Sequence, residues 1–270
     1  MMKKMFMIYL AVHMLLGIVP VREAAAAAIE FTDAINRQLS ETAGRAGGAG
    51  GTKLLKQYDT FKAERKETMD WDGKIAALHY ANEAKASEVR RRIGDLDKDK
   101  IRQLEEQLSA AKRKYQPLFD SYTALNKQVA AAKKLKDKTL SKMLQAQANS
   151  MKLLVNIGRQ DIKQKQAALT AAKKERTGKA AKVRSVLSGI DPYKSKIKSD
   201  KSAISTPNKL LNTEWKNFKA AVKSQDPSRT SDTLGRMLTL SGQILAKKQS
   251  IFQHEQRIET IIRQANAHIK

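Results

Sequence analysis

The sequence predicts an all-α protein: an elongated antiparallel helical bundle or coiled coil with a long basic helical arm and no β-sheet. Three observations carry the prediction. From Thr52 onward the chain is dominated by Ala, Lys, Leu, Gln, Glu and Arg, the residues with the strongest intrinsic helix propensity. No stretch sustains the period-two alternation that a half-buried strand requires. Ile101, Leu104, Leu108, Ala111, Tyr115, Leu118, Tyr122, Leu125, Val129 and Ala132 recur in alternating steps of three and four, the pattern of a coiled-coil seam.

The elements follow in order. Residues 1–26 read as a secretory signal peptide. Lys3 and Lys4 form its positive start, Met5 to Val21 its apolar stretch, and the run Ala24 to Ala28 offers the cleavage sites. The expected location is therefore secreted or extracytoplasmic, with cell-wall association included. No later segment approaches eighteen apolar residues, so no transmembrane segment is expected in the mature chain. Residues 27–43 form a short amphipathic helix with Ile29, Phe31, Ile35 and Leu39 near helical spacing. Five glycines in the eight residues 44–51 predict a flexible linker, because glycine in a helix is costly.

Residues 52–270 make up the helical coiled-coil or bundle domain. The seam phase runs through Pro117, which predicts a kink without a change of register. No proline lies between Pro117 and Pro192, so very long helices are permitted there; Ile157-Gly158 and Thr177-Gly178 are the expected turning points. Thr206-Pro207 and Asp226-Pro227 each place a capping side chain before a proline suited to a first helical position. They predict two C-terminal helices, one from Pro207 to Ser224 with Leu211, Trp215, Phe218 and Val222 on one face. The other, from Pro227 to His268, has a broad apolar stripe that suits more than one neighbour. Trp71, between Asp70 and Asp72-Gly73, is expected at a helix break.

Charge is the strongest functional signal. The 270 residues carry a formal net charge of +25, with 52 Lys and Arg against 27 Asp and Glu. Residues 53–106 nearly cancel, at 13 basic and 12 acidic, whereas residues 133–201 hold 19 basic and 5 acidic. Lys133, Lys134, Lys136, Lys138 and Lys142 open this tract, and Lys173, Lys174, Arg176, Lys179, Lys182 and Arg184 thicken it. Like charges at that density repel one another, which an anionic partner relieves. Nucleic acid is not the expected partner: no aromatic lies between Tyr122 and Tyr193 to stack on bases, and a signal peptide leads away from the chromosome. The expected partners are anionic envelope polymers, acidic lipids or acidic proteins, with self-association through the coiled-coil seam.

Catalysis, metal binding and cofactors are not expected. The absence of cysteine excludes disulfides, thiolate metal sites and a cysteine nucleophile. Asp95, Asp97, Asp99 and Glu106 match the positions 1, 3, 5 and 12 of an EF-hand calcium loop, but Lys100 occupies the position that needs glycine. They are a weak calcium candidate at most; the alternative is that Gly94 ends one helix and Asp95 or Asp97 caps the next. His13, His79, His254 and His268 share no ligand spacing. The leading expectation is a noncatalytic secreted or envelope protein whose lysine-rich arm holds polyanions. Two others are an extracytoplasmic holdase or helical interaction scaffold, and a toxin-like helical protein that binds lipid surfaces.

Overall fold

The computed structural model describes residues 29–269, and among them the chain is all-α with no strand. The expected signal peptide lies outside the described residues. Six helices follow in order: α1 (Asp33–Ala46), α2 (Gly48–Asp95), α3 (Lys98–Lys134), α4 (Lys138–Ser188), α5 (Asp191–Lys223) and α6 (Pro227–Ala267). No helix of the described residues is long and apolar enough to cross a membrane. The helices distribute over two compact units. Among the described residues, one comprises 29–73 with Lys198–Ser250; the other comprises Lys74–Ile197 and 251–269.

The first unit holds an aromatic core. Ile35 and Leu39 of α1, Leu54, Tyr58 and Phe61 of α2, Leu211, Trp215, Phe218 and Val222 of α5, and Leu234, Met237 and Ile244 of α6 are buried together. Phe31 sits edge-on to Tyr58, Phe61 and Trp215, with ring centroids 5.7, 5.9 and 5.5 Å away. That geometry suits the ring quadrupoles, and it explains how so few aromatics sustain a core: five of them are concentrated at one place. The amphipathic segment that begins with Ile29 and Phe31 is thus one wall of this unit.

The glycine run is no flexible linker. Helix α1 continues to Ala46, α2 begins at Gly48, and the break is the single residue Gly47, at φ +69°, where only glycine is unstrained. Gly51 lies against α1: a Cβ there would fall 2.4 Å from the Ala43 carbonyl oxygen. The glycines serve a tight corner between packed helices, and burial of α1 offsets their helix cost. Packing also overrides two other punctuation signals. Helix α2 passes through Trp71-Asp72-Gly73 without a break, with Trp71 Nε1 donating to Glu67 one turn back at 3.2 Å and Asp72 pairing with Lys248. Helix α5 passes through Pro207, because Ile204, Leu211 and Trp215 extend one apolar row across it. Asp226-Pro227 does start a helix: the Asp226 carboxylate accepts the Arg229 N–H at 3.0 Å.

Tyr58 reports on this core. Its hydroxyl donates to Asn36 Oδ1 at 2.9 Å, and burial, with the Asp59 carboxylate second, pushes the phenol up to about 12. A phenol whose folded value lies above its ordinary value of 10.0 stabilises the fold fully below that value and loses the contribution as the pH passes about 12. Stability to denaturant is therefore expected to fall across that alkaline window, and Tyr58→Phe to flatten the fall. An unchanged slope in the variant counts against the assignment.

The second unit is built on a hairpin of α3 and α4. Ile101 and Leu108 cluster with Leu169 and Ala172, Tyr115 faces Gly158, and Leu125 and Val129 cluster with Ala148. As α3 advances, its partners on α4 recede, so the pair is antiparallel. All ten seam residues of α3 are buried or half-buried along this line. The row on α4 that meets them is Leu144, Ala148, Met151, Val155, Gly158, Ile162, Leu169 and Ala172, again in steps of three, four or seven. The seam expected to drive self-association is thus covered by the same chain. Helix α3 continues uninterrupted through Pro117, and α4 through Gly158 and Thr177-Gly178, so neither expected turning point turns the chain. Gly158 is instead a notch: a Cβ there would stand 2.8 Å from the Tyr115 ring.

Elsewhere in this unit α2 is tied to α6 by a buried carboxylate. Glu255 is 2% exposed. It accepts from Asn82 Nδ2 at 2.8 Å through Oε2, while its Oε1 meets His79 Nδ1 at 2.8 Å. Asn82 Nδ2 also donates to the Glu255 backbone oxygen at 2.9 Å.

Candidate polyanion-binding site

The turn between α3 and α4 is built by backbone hydrogen bonds. Lys136 takes the left-handed conformation at φ +58°. Its N–H donates to the Lys133 oxygen at 3.2 Å, and the Asp137 N–H to the Ala132 oxygen at 3.2 Å. This is a Schellman termination of α3. Asp137 then caps α4, its carboxylate accepting the Leu140 N–H at 2.9 Å. One aspartate thereby closes one helix and opens the next, and the chain reverses within three residues.

That reversal gathers the first half of the basic tract. Lys133 and Lys134 end α3, Lys136 lies in the turn, and Lys138 and Lys142 open α4; all five are exposed. None of them forms an ion pair among the described residues, and Lys133 has only a hydrogen bond to Gln145 Oε1, at 3.2 Å. The sole carboxylate among them, Asp137, is committed to its cap. Five unneutralised ammonium groups at one hairpin end make a concentrated positive field.

The second half of the tract lies elsewhere. Thirty-five residues of α4 separate Lys138 from Lys173, about 50 Å at 1.5 Å per residue. There the cations meet acids: Lys173 pairs with Glu105 at 2.7 Å, and Lys179 with Asp97 at 3.2 Å and Glu175 at 2.9 Å. Arg176 Nη2 donates to the Gly94 carbonyl at 2.9 Å. The paired ammonium holds Glu175 below the usual carboxylate range, and Lys179 is raised in turn, with hydrogen bonding the first cause for both. Lys174, Lys182 and Arg184 are exposed on the same stretch. The eleven residues are therefore two groups, and among the described residues only the tip group has no cation paired to a carboxylate.

The calcium spacing does not become a cage. Asp97 turns to Lys179, Asp95 to Arg91 and Lys98 at 3.6 and 3.9 Å, and Asp99 to Arg102 at 3.0 Å, while Glu106 is exposed on α3. No group of three potential metal ligands occurs among the described residues. Helix α2 ends at Asp95, and Asp97 sits at the N-cap of α3 at φ +52° without a side-chain capping bond.

Sequence reasoning missed two features. The His79, Asn82 and Glu255 cluster joins residues 173 to 176 positions apart, and no local spacing announces it. Both carboxylate oxygens are engaged and buried, so its work is to join helices. The other is an apolar row on the outer side of α4, near the lysine tip. Met143 and Met151 sit on a helix otherwise lined by Leu, and the structure separates them: Met151 packs toward α3 and Met143 is 61% exposed. No protein-family model, curated protein or solved structure matches this chain.

Proposed function

We propose that this chain is a noncatalytic secreted or envelope-associated protein whose lysine-rich arm holds anionic envelope polymers or acidic partners. One observation carries the reading: Lys133, Lys134, Lys136, Lys138 and Lys142 converge on one hairpin end, and among the described residues no carboxylate pairs with any of them. A coiled-coil hairpin holds these charges close together, so their mutual repulsion is not relieved by rearrangement. An anion that bridges them relieves it and releases their counterions, the general source of salt-sensitive, weakly selective polyanion binding.

Long-chain polyphosphate is a suitable probe. The protein is expected to bind it at low salt and release it at about 0.3 M salt, where the Debye length approaches contact distances. Replacing the five tip lysines by glutamine is expected to weaken binding on the order of 100-fold. Replacing Lys173, Lys174 and Lys179 is expected to weaken it only severalfold, because two of those cations already face acids. Equal losses in the two variants, or no binding to polyphosphate and isolated envelope at low salt, overturn the reading.

A further inference from the structure

We infer that the hairpin tip and the adjoining outer face of α4 dock on an anionic lipid bilayer, lying on its surface; the inference rests on the polyanion reading above and names the partner. Large apolar side chains are exposed here in a group. Leu135 in the turn is 78% exposed, and Met143, Leu153, Leu154 and Ile157 are 61%, 67%, 54% and 53% exposed, with Leu140 at 37%. At about 100° per residue, Leu140, Met143, Leu154 and Ile157 share one side of α4, with Leu153 at its edge. The row that meets α3, through Leu144, Ala148, Met151 and Val155, lies roughly a quarter turn away. Helix α4 thus has two apolar faces, and the structure covers one.

Charge selects the occupant of the other. Residues 121–160 contain eight Lys or Arg and one acid, Asp137, a net charge of +7. A second copy would bring the same sign to the contact and is disfavoured. An acidic helix would fill a narrow seam, whereas the exposed row extends from Leu135, beyond the helix end, along about 30 Å of α4 to Ile157. A free phosphate polymer offers nothing to the leucines. An anionic bilayer takes both, with apolar side chains entering the acyl boundary while lysine stems lie along it and their ammonium groups reach the phosphates.

The test uses the full chain and sedimentation with vesicles of phosphatidylglycerol and phosphatidylcholine in equal parts, beside vesicles of phosphatidylcholine alone. Two variants are compared: the five lysines to glutamine, and Leu135→Ser with Met143→Ser and Leu154→Ser, which are exposed positions whose helical circular dichroism serves as the folding control. Binding to the mixed vesicles and not to phosphatidylcholine is expected. Each neutralised lysine is expected to reduce partitioning about fivefold. The serine variant is expected to lose vesicle binding on the order of 100-fold, as methylene burial is removed from three side chains, while keeping polyphosphate binding within about twofold. Vesicle binding unchanged by the serines overturns the inference and leaves the polyanion reading intact. So does polyphosphate binding without vesicle binding, or suppression of client aggregation through these leucines by a protein that ignores vesicles. Failure of the wild type to bind polyphosphate sinks the polyanion reading instead.

Discussion

Asn82→Leu is expected to lower the free energy of unfolding by about 3 kcal/mol, measured by urea denaturation at neutral pH. Asn82 and Glu255 are 1% and 2% exposed, so neither has water to turn to. Asn82 Nδ2 supplies the hydrogen bond to Oε2 at 2.8 Å, and His79 serves the other oxygen. Leucine fills similar volume but leaves that oxygen against hydrocarbon, and a buried carboxylate deprived of its donor costs more than the bond itself contributes. The double variant Asn82→Leu with Glu255→Leu is expected to be more stable than Asn82→Leu alone, because the second change removes the stranded charge. A loss below about 1 kcal/mol for the single variant, or no recovery in the double, would show that the cluster does not bear on stability.

Gly51→Ala is expected to destabilise the protein by about 2 to 3 kcal/mol, opposite in sign to the usual gain of about 1 kcal/mol for this change inside a helix. The new Cβ would meet the Ala43 carbonyl oxygen at 2.4 Å and its carbon at 3.1 Å. Backbone has no alternative rotamer, so α1 must move away from α2, and Ile35 and Leu39 move with it out of the aromatic core. Gly48, with nothing within 4 Å of its would-be Cβ, is the control, and Gly48→Ala is expected to be neutral or stabilising. A Gly51→Ala protein with a raised thermal midpoint would refute the corner packing.

Much of this architecture was legible because it is local. The three-four spacing from Ile101 to Ala132 marks one side of α3 without reference to anything else in the chain. The matching row on α4 was legible in principle, but Gly158 occupies a seam position and a second apolar set, from Leu140 to Ile157, overlaps it, which blurs the period. Glycine and proline misled wherever packing outweighed propensity. Gly44 to Gly51 look like slack and are a helix corner; Pro207 looks like a start and lies inside α5; Gly158 and Gly178 look like turns and lie inside α4. Three of the five joints, α2 to α3, α3 to α4 and α5 to α6, instead use non-glycine residues at positive φ, Asp97, Lys136 and Gln225, which no composition rule marks.

Helix content, the seam on α3 and the lysine surplus were determined by the sequence alone, since propensity, spacing and charge are properties of neighbours. Tertiary structure alone decided that the seam is satisfied by α4, that the eleven cations divide into a tip group without ion pairs among the described residues and a distant group in which Lys173 and Lys179 face acids, and that Glu255 is buried between Asn82 and His79. Each depends on contacts between positions tens to hundreds of residues apart, where the balance of burial, pairing and backbone cost belongs to the assembled helices and not to any one segment.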